Sequence, residues 1–192
     1  MRLSLIIQVL ICIMFNEISL AQESKNWGPD FLVAQYAGSI GYASVGVGYD
    51  LGKKSRASIH YGYVPENKGG VLNIVTGKYS YSPVTIQPSS KYLIQPINVG
   101  GMISYHLGGD YYFRWPKHRY PTGYYWWSSA LRIHATIESS ITFQINDSFI
   151  KSITTYVEFN TNDLYIISYL QNIESLHLFD IVKTGVGVRV KF

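Results

Sequence analysis

The chain has 192 residues, 47% of them hydrophobic and 15% aromatic, with only 15% charged and a formal net charge of +4. Charge this sparse excludes a disordered or coiled-coil protein. A mean hydropathy of +0.04 with one helix-like apolar run excludes a polytopic helical membrane protein, and the length holds one domain.

The positive start Met1-Arg2 is followed by the apolar stretch Leu3 to Phe15, with small residues at Ser19 and Ala21. That pattern predicts a signal peptide over residues 1–21 and a mature body over 22–192. A transmembrane anchor would need about 20 apolar residues, and this run stops short. Cys12, the single cysteine, lies in the leader, so the body has no disulfide and no thiolate metal site.

Beyond Gln22 the dominant period is two, the mark of strands with unlike faces. Strands are expected over Phe31 to Ser39 and Ala43 to Leu51. In the third, Ala57, Ile59, Tyr61 and Tyr63 oppose Ser58, His60 and Gly62. In the fourth, Val71 to Ser82, Val75, Tyr79 and Tyr81 oppose Ile74, Thr76 and Lys78. A fifth places Ile97, Val99, Ile103, Tyr105 and Leu107 against Asn98, Gly100, Met102, Ser104 and His106. A sixth sets Leu131, Ile133, Ala135 and Ile137 against Arg132, His134, Thr136 and Glu138. In the seventh, Ile153, Thr155, Val157 and Phe159 alternate with Thr154, Tyr156, Glu158 and Asn160. The last sets Val182, Thr184, Val186, Val188, Val190 and Phe192 against Lys183, Gly185, Gly187, Arg189 and Lys191. Glycines such as Gly46, Gly48, Gly185 and Gly187 fall on the polar face, where they leave room for larger partners rather than cradle phosphate.

Connections alternate in length. Gly52 to Arg56, Gln87-Pro88-Ser89-Ser90 and Asn146-Asp147-Ser148 are short turns, whereas on the other side Pro65 to Gly70, Gly108 to Ser128 and Thr161 to Asp180 are longer, the first connection there, Ser39-Ile40-Gly41, being the exception. Within the last of these the alternation breaks at Asn162 to Asn172. A short helix is expected there, capped by Asn162 or Asp163 and resting on the rim, with a lid over the lumen as the alternative.

Eight strands, Tyr near strand ends, short turns on one side and long loops on the other fit a transmembrane barrel with an apolar exterior and a polar interior. With its leader and its terminal strand Val186-Gly187-Val188-Arg189-Val190-Lys191-Phe192, the chain resembles small Gram-negative outer-membrane β-barrel proteins. Its Tyr-rich body and the Arg119 to Tyr125 loop are similar to uncharacterised barrels of Bacteroidetes-type bacteria. The fold expected is therefore an all-β, eight-stranded antiparallel up-and-down transmembrane barrel with a short helix in the last outer loop. The resemblance implies location in the bacterial outer membrane and contact with its lipid and lipopolysaccharide. It also implies that Phe192 is the signal read by the barrel-assembly machinery.

The inward faces of such a barrel gather Asp50, Glu138 and Glu158 with Lys78, Arg132, Lys183, Arg189 and Lys191, beside His60, His106 and His134. Eight strands leave an interior just wide enough for side chains, so these charges are expected to interlock and close the lumen. The role expected is non-enzymatic, structural or interactive through the outer loops, and a small pore would need a looser interior. An enzymatic alternative rests on His134, Thr136 and Glu138, stacked on one face about 7 Å apart. Such a base, hydroxyl and acid resemble the set of lipid A deacylases, although that set faces the lipid and carries Ser rather than Thr. The three histidines lack metal-ligand spacing, so neither metal nor cofactor is expected. In the longest loop Arg114, Trp115, Lys117, Arg119, Tyr120, Tyr124 and Trp126 mix aromatic planes with cations. They suit an interfacial girdle and a surface toward phosphate-bearing headgroups or sugars rather than nucleic acid.

Overall fold

In the computed structural model the described residues are 28–109, 111–114, 128–145 and 149–192. The expected leader over residues 1–21, the turn expected at Asn146-Asp147-Ser148 and, of the aromatic and basic loop residues, Trp115, Lys117, Arg119, Tyr120, Tyr124 and Trp126 lie outside them. Among the described residues nine strands are formed: β1 (Phe31–Ala37), β2 (Ala43–Asp50), β3 (Ser55–Val64), β4 (Leu72–Tyr81), β5 (Ile86–Ser89), β6 (Tyr92–Leu107), β7 (Leu131–Gln144), β8 (Ser152–Asn162) and β9 (Lys183–Lys191). Eight of them close into an antiparallel barrel. Neighbours run β4-β3-β2-β1-β9-β8-β7-β6, and pairing of β4 with β6 completes the ring. The first and last strands meet along Phe31↔Lys191 to Ala37↔Gly185, so no barrel edge is left unpaired.

The faces are inverted relative to a water-soluble sandwich. Along β7, Arg132, His134, Thr136, Glu138, Ser140 and Thr142 are buried while Ile133, Ile137, Ile141 and Phe143 are exposed. Glu138 is 1% exposed and its neighbour Ile137 is 54% exposed. The other strands repeat the pattern, with Val45, Ile59, Val75, Ile103, Val157 and Val186 outside. Aromatic pairs mark both ends of the wall: Tyr36 with Tyr42 at 5.0 Å near the long loops, and Tyr92 with Phe143 at 5.5 Å near the termini.

Two inward glycines are required by their neighbours. A Cβ on Gly48 would overlap the Phe31 ring, and one on Gly187 would overlap Tyr156. Phe31, Val33 and Tyr156 form a small apolar cluster inside the barrel. In β6 the pairing with β7 shifts between Gln95↔Ser140 and Asn98↔Glu138, so three residues advance against two. Pro96 lies in that step, where a residue without a backbone N–H is tolerated. The extra residue lets both Gln95 and Asn98 face inward.

One connection differs from the sequence expectation. Gln87-Pro88-Ser89-Ser90 is not a simple turn, because Ile86–Ser89 form β5, paired with the start of β6 beyond the closed ring. All four residues of β5 are exposed, so no alternation of burial announces it. The expected helix is present as α1 (Asp163–Gln171), whose cap is Asn162: its side-chain oxygen accepts from the Tyr165 N–H at 2.9 Å. A one-turn helix, α2 (Leu178–Ile181), follows, with the Asp180 carboxylate accepting from the His177 N–H at 2.8 Å.

Candidate functional site: the lumen and its charged belt

Inward parity on four strands brings the strongest charges to one level. Lys78 on β4 donates to Glu138 on β7 at 3.0 Å and to Glu158 on β8. Arg189 on β9 forms a two-pronged bond to Glu138, from Nη2 at 2.6 Å and Nη1 at 3.2 Å. All four residues are less than a tenth exposed. A bidentate guanidinium–carboxylate pair fixes geometry as well as charge.

Neutral donors complete the belt. Asn98 donates to Glu138 at 3.1 Å, while Gln35 and Asn160 donate to Glu158 at 3.3 and 3.2 Å. The Tyr156 hydroxyl donates to Gln35 at 2.8 Å, and its ring lies 4.4 Å from the Arg189 guanidinium and 5.2 Å from the Lys78 ammonium. Arg56 also reaches the belt, 3.9 Å from Glu138 while donating to Ser82 at 2.9 Å and Gln95 at 3.0 Å. Arg56, expected within the Gly52 to Arg56 turn, lies in β3 instead and shares the inward parity of Ser58 and His60, the signal that marks it.

The remaining lumen candidates sit elsewhere. Lys191 pairs with Asp50 at the mouth beside the termini, away from the belt. Arg132 and Lys183 belong to the opposite mouth. Arg132 donates to the Ser128 and Leu131 carbonyls, and the Lys183 ammonium lies 5.2 Å from the Tyr165 ring. Phe192 packs its ring 5.5 Å from Phe149, and its N–H donates to the Asp30 carbonyl at 3.1 Å. Arg114 is exposed at the base of the long loop.

His134, Thr136 and Glu138 are all buried in the lumen but share no hydrogen bond. Glu138 is held by Lys78 and Arg189, and His134 Nε2 instead shares a 2.7 Å bond with Ser104 on β6. His60 does the same with Ser58 at 2.9 Å. Among the described residues no group of three His, Cys, Asp or Glu is placed to hold a metal ion.

The belt separates two cavities that have no lining residue in common. One, of about 400 Å³, opens beside the termini among Asp50, Lys53, Lys54, Arg56, Arg189 and Lys191. The other, of about 550 Å³, opens among the long connections. Comparison of the chain with protein-family models, with curated proteins and with solved structures finds no match.

Proposed function

We propose that this barrel is a transmembrane protein of a Gram-negative outer membrane, non-enzymatic and self-plugged, with a structural or surface-interaction role at its loop end. The observation that carries the reading is the inversion of the wall: apolar side chains project outward from every barrel strand while Lys78, Glu138, Glu158 and Arg189 are sealed inside. An apolar outer band with aromatic residues at both ends suits a hydrocarbon slab flanked by headgroups. Both described termini lie at the mouth opposite the two longest connections, those between β6 and β7 and between β8 and β9, as expected when termini face the periplasm and loops face out. A leader peptide over residues 1–21 would deliver the chain, and the Phe192 end of β9 would be presented to the assembly machinery. Lipid and lipopolysaccharide are the partners this reading implies.

The test is electrophoretic. Outer membranes run unboiled and boiled on a denaturing gel should show a mobility shift, since a closed barrel resists detergent until heated. Absence of a shift, with the protein in the periplasmic fraction, would overturn the membrane reading. Reconstitution in planar bilayers should give no discrete conductance, because the belt fills the lumen; steady current steps would replace the plugged reading with a pore.

A further inference from the structure

The cavity at the loop mouth is built differently from the belt beneath it. In the belt, cations and carboxylates interlock, whereas among the described residues no carboxylate lines the upper cavity. Lys68, Arg132 and Lys183 do line it, and none of the three has a carboxylate partner among the described residues. Asp163, next in the chain to the lining residues Asn162 and Leu164, is not itself part of the lining, but its Oδ1 is buried without a hydrogen-bond partner close by, so the three cations outnumber one neighbouring carboxylate.

Each cation is held in place without being neutralised. Lys68 lies 5.6 Å from the Tyr42 ring and Lys183 lies 5.2 Å from the Tyr165 ring. Arg132, 8% exposed, uses Nη1 on two backbone carbonyls. Deeper in the same cavity is His134, 3% exposed, with Nε2 committed to Ser104 and a buried Nδ1 that has no partner. An unpaired buried polar atom is costly unless something meets it. Tyr42, Tyr165, Leu72 and Leu164 supply flat and apolar wall between the charges.

We propose that this vestibule is a binding site for a small soluble anion, a phosphate or carboxylate carried on an aromatic or aliphatic body. The charged end lies among Lys68, Arg132 and Lys183, the body lies against the tyrosines and leucines, and a polar atom of the ligand meets His134 Nδ1. A cavity of about 550 Å³ is the size of a small-molecule site. The site is part of the lumen itself, so it stands whether or not the outer wall lies in a bilayer.

The full-length protein in detergent, labelled with ¹⁵N, is titrated with phenyl phosphate and followed by amide chemical shifts. Saturable shifts are expected at Tyr42, Lys68, Arg132 and Lys183, with a weaker response to inorganic phosphate and none to benzyl alcohol. The Lys68→Gln/Lys183→Gln variant, changed only at exposed positions, should keep its heat-modifiable barrel yet bind phenyl phosphate roughly tenfold more weakly. Equal affinity in that variant, or an equal response to benzyl alcohol, would overturn the assignment. So would shifts at these amides induced by phosphatidylglycerol in lipid discs but not by phenyl phosphate, since the anion would then be a headgroup.

Discussion

Glu138 and Glu158 are direct partners across the β7–β8 ladder, and both carboxylates point into the lumen. Like charges facing each other in this way repel. Lys78, two strands around the ring from Glu138 and three from Glu158, resolves the conflict by bonding one oxygen of each, and Arg189 takes both oxygens of Glu138.

That dependence makes Glu138 the most sensitive position of the belt. Glu138→Gln leaves Lys78, Arg189 and Arg56 facing the single carboxylate of Glu158. Removing one partner of a buried pair costs about 3–5 kcal/mol, and the loss here should lie in that range. Urea unfolding of the refolded barrel measures it, and Lys191→Gln at the partly exposed mouth pair should change the midpoint little.

Lys78→Ala should act on both stability and permeation. The two glutamates lose their shared cation, and the level that separates the two cavities loses one of its long side chains. Discrete cation-selective conductance is expected from the variant in a planar bilayer where the parent is silent.

Inward-facing position 187 is a glycine because Tyr156 occupies the space a Cβ would take. Gly187→Ala should therefore destabilise by about 1–3 kcal/mol, the usual cost of overpacking. In the background of Tyr156→Ser the same glycine change should cost far less, so a double-mutant cycle by urea unfolding should show strong coupling.

The outer face has its own test. Ile137 projects from the middle of β7 between Val99 and Phe159 of the neighbouring strands. In a bilayer Ile137→Lys should cost about 2–4 kcal/mol, as charges do near the midplane. A water-facing strand would accept the same change with little loss, so unfolding in lipid vesicles separates the two environments.

A non-enzymatic barrel makes one further prediction. The lipid A mass spectrum of a deletion strain should match that of the parent, and overexpression should not alter it. New acyl-loss species on overexpression would instead assign catalysis to this chain.

The alternation of Arg132 to Glu138 or Thr154 to Asn160 exposes strand identity and inward face at once, since a closed wall has only two environments. What linear order withholds is height around the ring. Asp50, Lys78 and Glu138 share parity, but stagger between strands decides that Lys78 meets Glu138 while Asp50 meets Lys191 at a mouth. Arg132 and Lys183 look equally suited to the belt, yet they begin their strands at the loop end and so line the vestibule. The β5 segment was illegible for a different reason: it makes its pairs outside the ring and buries nothing.

Strand β9 carries Arg189 and also forms the seam with β1. Until β9 docks, Glu138 lacks its two-pronged partner and Phe31 lacks the neighbouring strand that completes the wall. Sealing the cylinder and balancing its interior are thus one event. An unsealed intermediate carries an electrostatic penalty that vanishes only on closure, which gives the chain a reason to finish all at once rather than strand by strand.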